Sequence, residues 1–239
     1  MIARFIKENG AKLLAGSVLV FATCGNVLAL ETLTITDSVC GGCTVNLGPV
    51  ANGNGISFAG TVGNWTIDVT ATDAGTPALP VNMDLDITTA MTPEGLLSLN
   101  PGTIDVTFSE TGYSGTALDV LHATDAGTQE FLQTTTDVSV AGHQQNALSF
   151  AAPSQATLGA TPYNFSVANV GVNPATNPFG ISISTVITPN IRSVHSATSN
   201  YQLEGTLAPE PRFYGVTGLG LAGLLAIGAL RRRKQETAA

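Results

Sequence analysis

The sequence predicts an all-β protein: an antiparallel β-sandwich of jelly-roll or immunoglobulin-like type with about ten strands. Apolar and polar residues alternate with period two in many short segments, which places the apolar side chains on one face of each strand. Turn-forming residues, such as Asn173-Pro174, separate these segments. Between the two ends of the chain no segment has a 3.6-residue apolar period, so two stacked sheets are the expected architecture.

The predicted strands follow one another along the middle of the chain. Alternation identifies them at residues 32–36, 44–47, 65–70, 83–88, 104–109, 163–167 and 181–183. The hexapeptide Ala-Thr-Asp-Ala-Gly-Thr occurs twice, at 71–76 and 123–128. Its Asp and Gly suit a turn, so we expect a turn after a strand in both places.

The predicted domain, residues 30–208, is strongly acidic and long enough to bury one core. It has no Lys, one Arg (Arg192) and fourteen acidic residues, a formal charge of −13, whereas the whole chain carries −8. Such a surface repels nucleic acid and anionic lipid, so nucleic acid is not an expected partner. It favours solubility and attracts divalent cations.

The N-terminal residues 1–29 are predicted to be a signal peptide. Basic residues precede a short apolar stretch at 13–22, and Val27-Leu28-Ala29 fits a signal-peptidase cleavage site, so the mature chain would begin near Leu30. Two alternatives stay open: lipidation at Cys24, although Thr23 before it fits a lipobox poorly, and a retained N-terminal anchor. The basic residues are Arg4, Lys7 and Lys12.

The C-terminal residues 209–236 contain three parts in a fixed order. Pro209-Glu210-Pro211 comes first, and an uncharged apolar run follows at 213–230. Eighteen helical residues span roughly 27 Å, enough to cross a hydrocarbon core. The cations that follow favour a cytoplasmic C-terminus. They are Arg231, Arg232, Arg233 and Lys234.

This tail resembles the PEP-CTERM sorting signal of Gram-negative bacteria. The resemblance implies recognition by an exosortase, a membrane protease that would cleave near Pro209–Pro211, so the inner membrane would be a transient anchor before the cell surface or extracellular matrix. Residues 60–67, 83–85 and 103–112 are also similar to uncharacterised secreted PEP-CTERM proteins. That similarity implies a shared β fold and carries no catalytic residues.

Cys40-Gly41-Gly42-Cys43 is the sharpest chemical motif of the predicted domain. Outside the cytoplasm paired cysteines tend to oxidise, so a local disulfide between Cys40 and Cys43 is the first interpretation. A redox site would need a helix N-terminus after the motif, whereas residues 44–47 are predicted as a strand. A metal site would need further ligands, and the chain has no second CxxC motif.

Other candidate site residues are fewer and more scattered. Asp84 and Asp86 share one strand face and are a weak Ca²⁺ candidate together with a loop carboxylate such as Asp73. No residue is predicted to be catalytic, because no nucleophile motif accompanies the scattered histidines, and no cofactor is predicted. The histidines are His122, His143 and His195.

The predicted function is that of a non-enzymatic exported surface or matrix protein, associated with exopolysaccharide or biofilm. The alternative is a carbohydrate-binding module, for which Trp65 and Tyr113 are the candidate aromatic platforms. A secreted hydrolase is a third class. Ice binding would require a flat, regular Thr array, and the sequence offers one row, Thr32, Thr34 and Thr36.

Overall fold

The computed structural model describes residues 30–51, 53–73, 81–113, 117–155, 159–174, 176, 178–190 and 195–208; side chains 117–120 and 206–208 are not described. The predicted signal peptide (1–29) and sorting tail (209–236), with its sorting motif, apolar run and basic end, lie outside these ranges. Within them, no helix has the length and apolarity that a membrane crossing requires.

Thirteen strands are found in the described part of the chain, two of them only two residues long. They are β1 (Leu30–Asp37), β2 (Thr44–Ala51), β3 (Ile56–Val62), β4 (Trp65–Asp73), β5 (Val81–Met91), β6 (Ile104–Tyr113), β7 (Ala117–Glu130), β8 (Leu132–Val140), β9 (His143–Gln144), β10 (Phe150–Ala151), β11 (Thr161–Val172), β12 (Phe179–Pro189) and β13 (Ser196–Ala208).

The strands form two antiparallel sheets, which confirms the predicted sandwich. Sheet A has the order β10-β8-β12-β6-β1-β2, with β9 paired to β8, and sheet B has the order β11-β7-β13-β5-β4-β3. From β5 to β8, and again from β11 to β13, each strand lies in the sheet opposite to the one before it. This crossing between sheets is a jelly-roll pattern.

The core lies between the two sheets and follows from the alternation of the strands. On β4 every second residue from Trp65 is buried, and on β5 every second residue from Val81. Sheet A contributes its own inward row, including Leu33 on β1 and Phe108 on β6, both with no exposed surface. Each such side chain contributes about 1.5–3 kcal/mol on burial, so these rows hold the sheets together.

A short helix that the sequence did not predict connects β5 to β6. This helix, α1 (Pro93–Leu97), has Thr92 as its N-cap, whose side chain accepts a hydrogen bond from the Gly95 N–H at 3.1 Å. Pro93 occupies the first turn, where its missing N–H costs nothing. Five residues are too few to produce a recognisable 3.6-residue period, which is why periodicity missed the helix.

One copy of the repeated hexapeptide does not form the expected turn. Residues 123–128 lie within β7, and in the other copy Ala71 to Asp73 end β4. In both copies the Asp faces the interior, because Asp73 and Asp125 are each 2% exposed. The prediction of a turn at 123–128 was therefore wrong: strand pairing of β7 with β13 and β11 on its two sides overrides the turn preference of Asp-Ala-Gly.

Candidate functional site

A groove of about 510 Å³ crosses one end of sheet A, where β6, β12 and β8 lie side by side. Its wall includes the turn between β8 and β9, where Ala141 (φ 53°) and Gly142 (φ 76°) both adopt the left-handed conformation that two-residue hairpin turns require. Glu110 also borders the groove, but the residue has no exposed surface, so its carboxyl group is not accessible there. Backbone and hydroxyl groups therefore supply the polar part of the groove, whose surface is otherwise mostly apolar.

Three serines form a row across this groove. Ser182 of β12 pairs with Ser109 of β6 on one side and with Ser139 of β8 on the other. Neighbouring strands lie about 4.8 Å apart, so the row is on the order of 10 Å long. All three are half-buried and alternate with core residues, which places their hydroxyls on the outer face of the sheet.

The serine row differs from the row next to it in hydrogen bonding. In the neighbouring row the Thr107 hydroxyl donates to Ser184 Oγ at 3.1 Å, and the Ser184 hydroxyl donates to Asp105 Oδ1 at 2.9 Å. Among the described residues, no side-chain hydrogen bond engages the hydroxyls of the serine row. Each of these hydroxyls can donate one hydrogen bond and accept two.

A second polar site is buried between the sheets. Glu31 of β1 lies directly opposite Glu110 of β6, and neither has exposed surface. Asp73, at the end of β4 in the other sheet, accepts a hydrogen bond from the Tyr113 hydroxyl at 3.1 Å, and the same hydroxyl contacts Glu110 Oε2. Because one phenol carries one proton, the second contact requires a protonated carboxyl group. We call Glu31, Asp73 and Glu110 the carboxylate cluster.

Burial controls the ionisation of this cluster. Desolvation, with the hydrogen bond to Asp73 as the next cause, raises the pKa of Glu110 to about 9. Desolvation also raises the pKa of Glu31, and the charge of Asp73 acts in the same direction. The pKa of Tyr113 is raised too, first by burial and then by the charge of Glu110. In the protein alone, Glu110 is therefore protonated at neutral pH.

Asp125 is a further buried acid, in the core near β11. Its Oδ1 accepts a hydrogen bond from the Ser199 hydroxyl at 3.1 Å. Desolvation raises the pKa of Asp125, while hydrogen bonds from Thr136, Ser199 and Tyr163 oppose that rise. Burial likewise raises the pKa of Tyr163 to about 12.

The structure separates Asp73 from Asp84 and Asp86, the other two residues of the predicted calcium candidate. Asp84 and Asp86 lie on the outer face of sheet B, where Asp84 Oδ1 accepts a hydrogen bond from the Asn200 side chain at 3.1 Å. Desolvation and then the charge of Asp86 raise the pKa of Asp84. Asp73 points to the opposite side of the sheet and contacts Tyr113. The suggestion that Asp73 joins Asp84 and Asp86 was therefore wrong.

Cys40 and Cys43 are disulfide-bonded in the turn between β1 and β2, with their Cα atoms 5.2 Å apart. The Cys43 N–H donates to the Cys40 carbonyl at 3.0 Å, which closes the turn. Thr44 begins a strand, not a helix, so a helix N-terminus that would activate a thiol does not follow the motif.

The two aromatic residues suggested as sugar platforms lie in the interior. Trp65 and Tyr113 both have no exposed surface, so neither presents a ring to a ligand. The most accessible aromatic side chains among the described residues are half-buried, and three of them pack together beside β11. These are Phe150, Tyr163 and Phe165.

The histidines are dispersed, as predicted, and the three threonines form a single row. His122 Nε2 lies 3.2 Å from Ser166 Oγ on sheet B, His143 is exposed, and His195 is buried with its ring edge-on to Phe131. Thr32, Thr34 and Thr36 form one row on the outer face of sheet A, where the paired residues of β6 are Ser109, Thr107 and Asp105. The face is polar but not a regular array of threonines.

Sequence reasoning missed both the serine row and the carboxylate cluster. The cluster did leave a signal: Glu31 stands two residues before Leu33, and Glu110 two residues after Phe108, so both acids occupy the buried phase of their strands. An acid in the apolar phase of a strand predicts a buried carboxylate. The serine row left no comparable signal, because it depends on which strands are neighbours.

Comparison with known proteins finds no matching family model and no matching curated protein. The solved structures to which the chain is similar match it at low TM-scores. The enzymatically active domain of bacteriophage CBA120 tailspike protein 4 has a TM-score of 0.30 at 13% identity, covering 59% of this chain and 20% of that one. This chain thus matches only about a fifth of the tailspike domain's length.

Two further similar structures are carbohydrate-binding modules. TmCBM61, solved in complex with β-1,4-galactotriose, has a TM-score of 0.30 at 11% identity over 60% of this chain and 90% of that one. The CBM22-1 xylan-binding domain of Paenibacillus barcinonensis Xyn10C has a TM-score of 0.25 at 11% identity over 66% and 97%. Similarities this distant assign neither a family nor a ligand to the chain.

Proposed function

We propose that this protein is a non-enzymatic, exported β-sandwich that binds polysaccharide at the cell surface or in the extracellular matrix. The observation that carries the proposal is the row of Ser139, Ser182 and Ser109 along the groove of sheet A. Hydroxyl groups that both donate and accept match the hydroxyls of a neutral sugar polymer. A groove of about 510 Å³ also has the size of a small-ligand site.

The chemistry of the groove favours binding over catalysis. Its polar side chains are hydroxyls, and a hydroxyl becomes a nucleophile only beside a positioned base. The nearest carboxyl group in the lining, Glu110, is turned into the interior and contacts Tyr113. Binding through neutral hydrogen bonds without an aromatic platform predicts weak affinity for each site, which display of many copies on a surface would strengthen by avidity.

Affinity electrophoresis of the full chain against a set of neutral and acidic polysaccharides tests this proposal. The variant S109A/S139A/S182A removes three hydroxyls and should weaken binding at least about tenfold, since each neutral hydrogen bond contributes about 0.5–1.5 kcal/mol. The matched variant S57A/T66A/T70A removes three exposed hydroxyls from sheet B and should bind as the wild type does. Absence of binding by the wild type to every polysaccharide would refute the proposal.

We also propose that an exosortase delivers the domain to the surface. The support is the sequence of the tail: Pro209-Glu210-Pro211, the apolar run 213–230 and the basic end Arg231–Lys234. Mass spectrometry of the surface-extracted protein should find a C-terminus near Pro209–Pro211. The variant P209A/E210A/P211A should keep its tail and remain in the inner-membrane fraction. A mature surface protein that retains Arg231–Lys234 would contradict this route.

A further inference from the structure

The carboxylate cluster brings three acids together from both sheets. Glu31 and Glu110 are opposite one another on β1 and β6, and Asp73 reaches them from β4 through the Tyr113 hydroxyl. Glu31 and Glu110 have no exposed surface and Asp73 is 2% exposed. Buried carboxylates are costly unless a cation or hydrogen bonds compensate them, so this cluster requires positive charge or protons.

The described residues provide no Lys or Arg to the cluster. The nine Lys and Arg residues of the chain all lie outside the described residues, so none of the residues that the structure describes offers an ammonium or guanidinium group. The interior that packs around Glu31 and Glu110 on their own strands is apolar, with Leu33 and Phe108 as the nearest inward neighbours. Within the described part of the chain, the cluster therefore has no Lys or Arg partner.

One carboxylate oxygen of the cluster lacks a well-placed hydrogen-bond donor among the described residues. Glu31 Oε1 accepts a hydrogen bond from the Gly53 N–H at 2.7 Å, which ties the loop between β2 and β3 to the cluster. In the part of the chain that the structure describes, no group lies in hydrogen-bonding geometry to the fully buried Glu31 Oε2, although the Gly55 N–H is near enough to this carboxylate to lower its pKa. A buried, unsatisfied carboxylate oxygen is rare in native proteins and points to a bound water or ion.

We propose that a calcium ion binds between the two sheets at this cluster, with Glu31, Asp73 and Glu110 as its carboxylate ligands. All the side-chain donors are oxygens, and none of the described His or Cys residues belongs to the cluster, which favours a hard cation over zinc or copper. Calcium accepts six to eight oxygens in irregular geometry, whereas magnesium demands a near-ideal octahedron that ligands from three separate strands do not readily supply.

Binding requires a local rearrangement of the cluster. No group of three His, Cys, Asp or Glu side chains among the described residues already stands in a metal-holding arrangement. Glu110 Oε2 contacts the Tyr113 hydroxyl, and rotation of this carboxyl toward Glu31 Oε2 would complete the ligand set. The ion would then link β1 and β6 of sheet A to β4 of sheet B, and through Gly53 it would order the loop between β2 and β3. This proposal is independent of polysaccharide binding.

Calcium titration of the decalcified full chain tests the site, by calorimetry and by thermal unfolding. We expect one high-affinity ion per chain, and a Tm that is roughly 5 °C higher in 1 mM CaCl₂ than in EGTA. Glu31→Gln keeps the shape of the side chain and should weaken calcium binding at least about tenfold. In EGTA this variant should be at least as stable as the wild type, which separates loss of a ligand from loss of the fold.

The control is the acidic pair on the outer face of sheet B. Asp84→Asn/Asp86→Asn removes the same type of charge from a half-exposed and an exposed position and should leave the calcium affinity unchanged. No calcium binding by the wild type would overturn the proposal. So would loss of binding in the control variant but not in Glu31→Gln, or an equal Tm rise in 1 mM MgCl₂.

Discussion

Single acidic residues in the buried phase of strands are the most distinctive local feature of this protein. Asp125 is an example: it stands two residues after Ala123 on β7 and is 2% exposed. Hydrogen bonds from Ser199, Thr136 and Tyr163 lower the pKa of Asp125. No cation is among the groups that shift this pKa. Such a residue makes the free energy of unfolding depend on pH, because its folded pKa lies above its unfolded pKa.

Asp125→Asn should become increasingly stabilising relative to the wild type as pH rises. The raised pKa of Asp125 means that its contribution is fully present below the unfolded pKa of about 3.9 and is lost as pH rises through the folded pKa. The difference in unfolding free energy between the two proteins should therefore grow above pH 4, by at most about 1.4 kcal/mol per pH unit. Urea unfolding at a series of pH values, with EGTA present, measures it. A pH-independent difference would contradict the assignment.

At the level of the strands, the fold depends on the close approach of neighbouring strands as well as on apolar alternation. Phe131, with φ 53°, is the single residue between β7 in sheet B and β8 in sheet A, so the chain changes sheets abruptly there. On β7 itself, Gly127 lies between Ser199 of β13 and Tyr163 of β11. A Cβ atom at Gly127 would stand 1.9 Å from the Thr198 carbonyl oxygen, a clash with backbone.

Gly127→Ala should destabilise the fold by about 1–3 kcal/mol, because β7 must shift away from β13 to make room for the methyl group. Gly41→Ala is the matched control, since a Cβ there meets nothing within 4 Å. Chemical denaturation of both variants gives the comparison. Equal stabilities would show that β7 and β13 tolerate a wider separation.

The disulfide turn between β1 and β2 should make a modest contribution. Replacing Cys40 and Cys43 together by Ser should cost at most about 2 kcal/mol, since the closed loop contains few residues and its closure entropy is small. Thermal unfolding of the double variant measures this, with the wild type in reducing buffer as the control. A loss well above that value would indicate that the turn also supports the packing of β1.

At the scale of the whole molecule, negative charge is unbalanced. The predicted domain carries a formal −13, and its acids include the neighbouring pair Asp84 and Asp86 on sheet B. High net charge of one sign keeps a protein soluble and repels anionic polymers, but it also destabilises the compact state. A polysaccharide partner of this domain is thus expected to be neutral, or to be bridged by divalent cations.

Monovalent salt should therefore stabilise the protein. Raising NaCl from 10 to 150 mM shortens the screening length to about 8 Å, and the relief of repulsion should be roughly 1 kcal/mol, or about 2–4 °C in Tm. Differential scanning calorimetry of the full chain tests this. The double variant Asp84→Asn/Asp86→Asn should show a smaller salt response; an identical response would assign the repulsion to other acids.

Alternation predicted seven of the thirteen strands in the described part of the chain, and it predicted neither of the two sites. The segments at 65–70, 83–88 and 104–109 fall within β4, β5 and β6, because alternation is a local property that a single strand displays by itself. The turn expected at 123–128 failed because pairing on both sides of β7 outweighs local propensity. Neither Trp65 nor Tyr113 was recognisable as fully buried, since an aromatic residue in alternation suits either the core or a binding face.

Periodicity and composition established the antiparallel β class and the acidity of the domain, and the motifs at the two ends of the chain predict export and sorting. These follow from periodicity, composition and contiguous motifs, which need no knowledge of long-range contacts. The folded structure was needed to show which strands are neighbours, and hence that Ser109, Ser139 and Ser182 share a groove. It also decided that Glu31, Asp73 and Glu110 share one buried site. The physical reason is that cross-strand register and sheet stacking join residues some 30 to 80 positions apart, and no local pattern encodes that pairing.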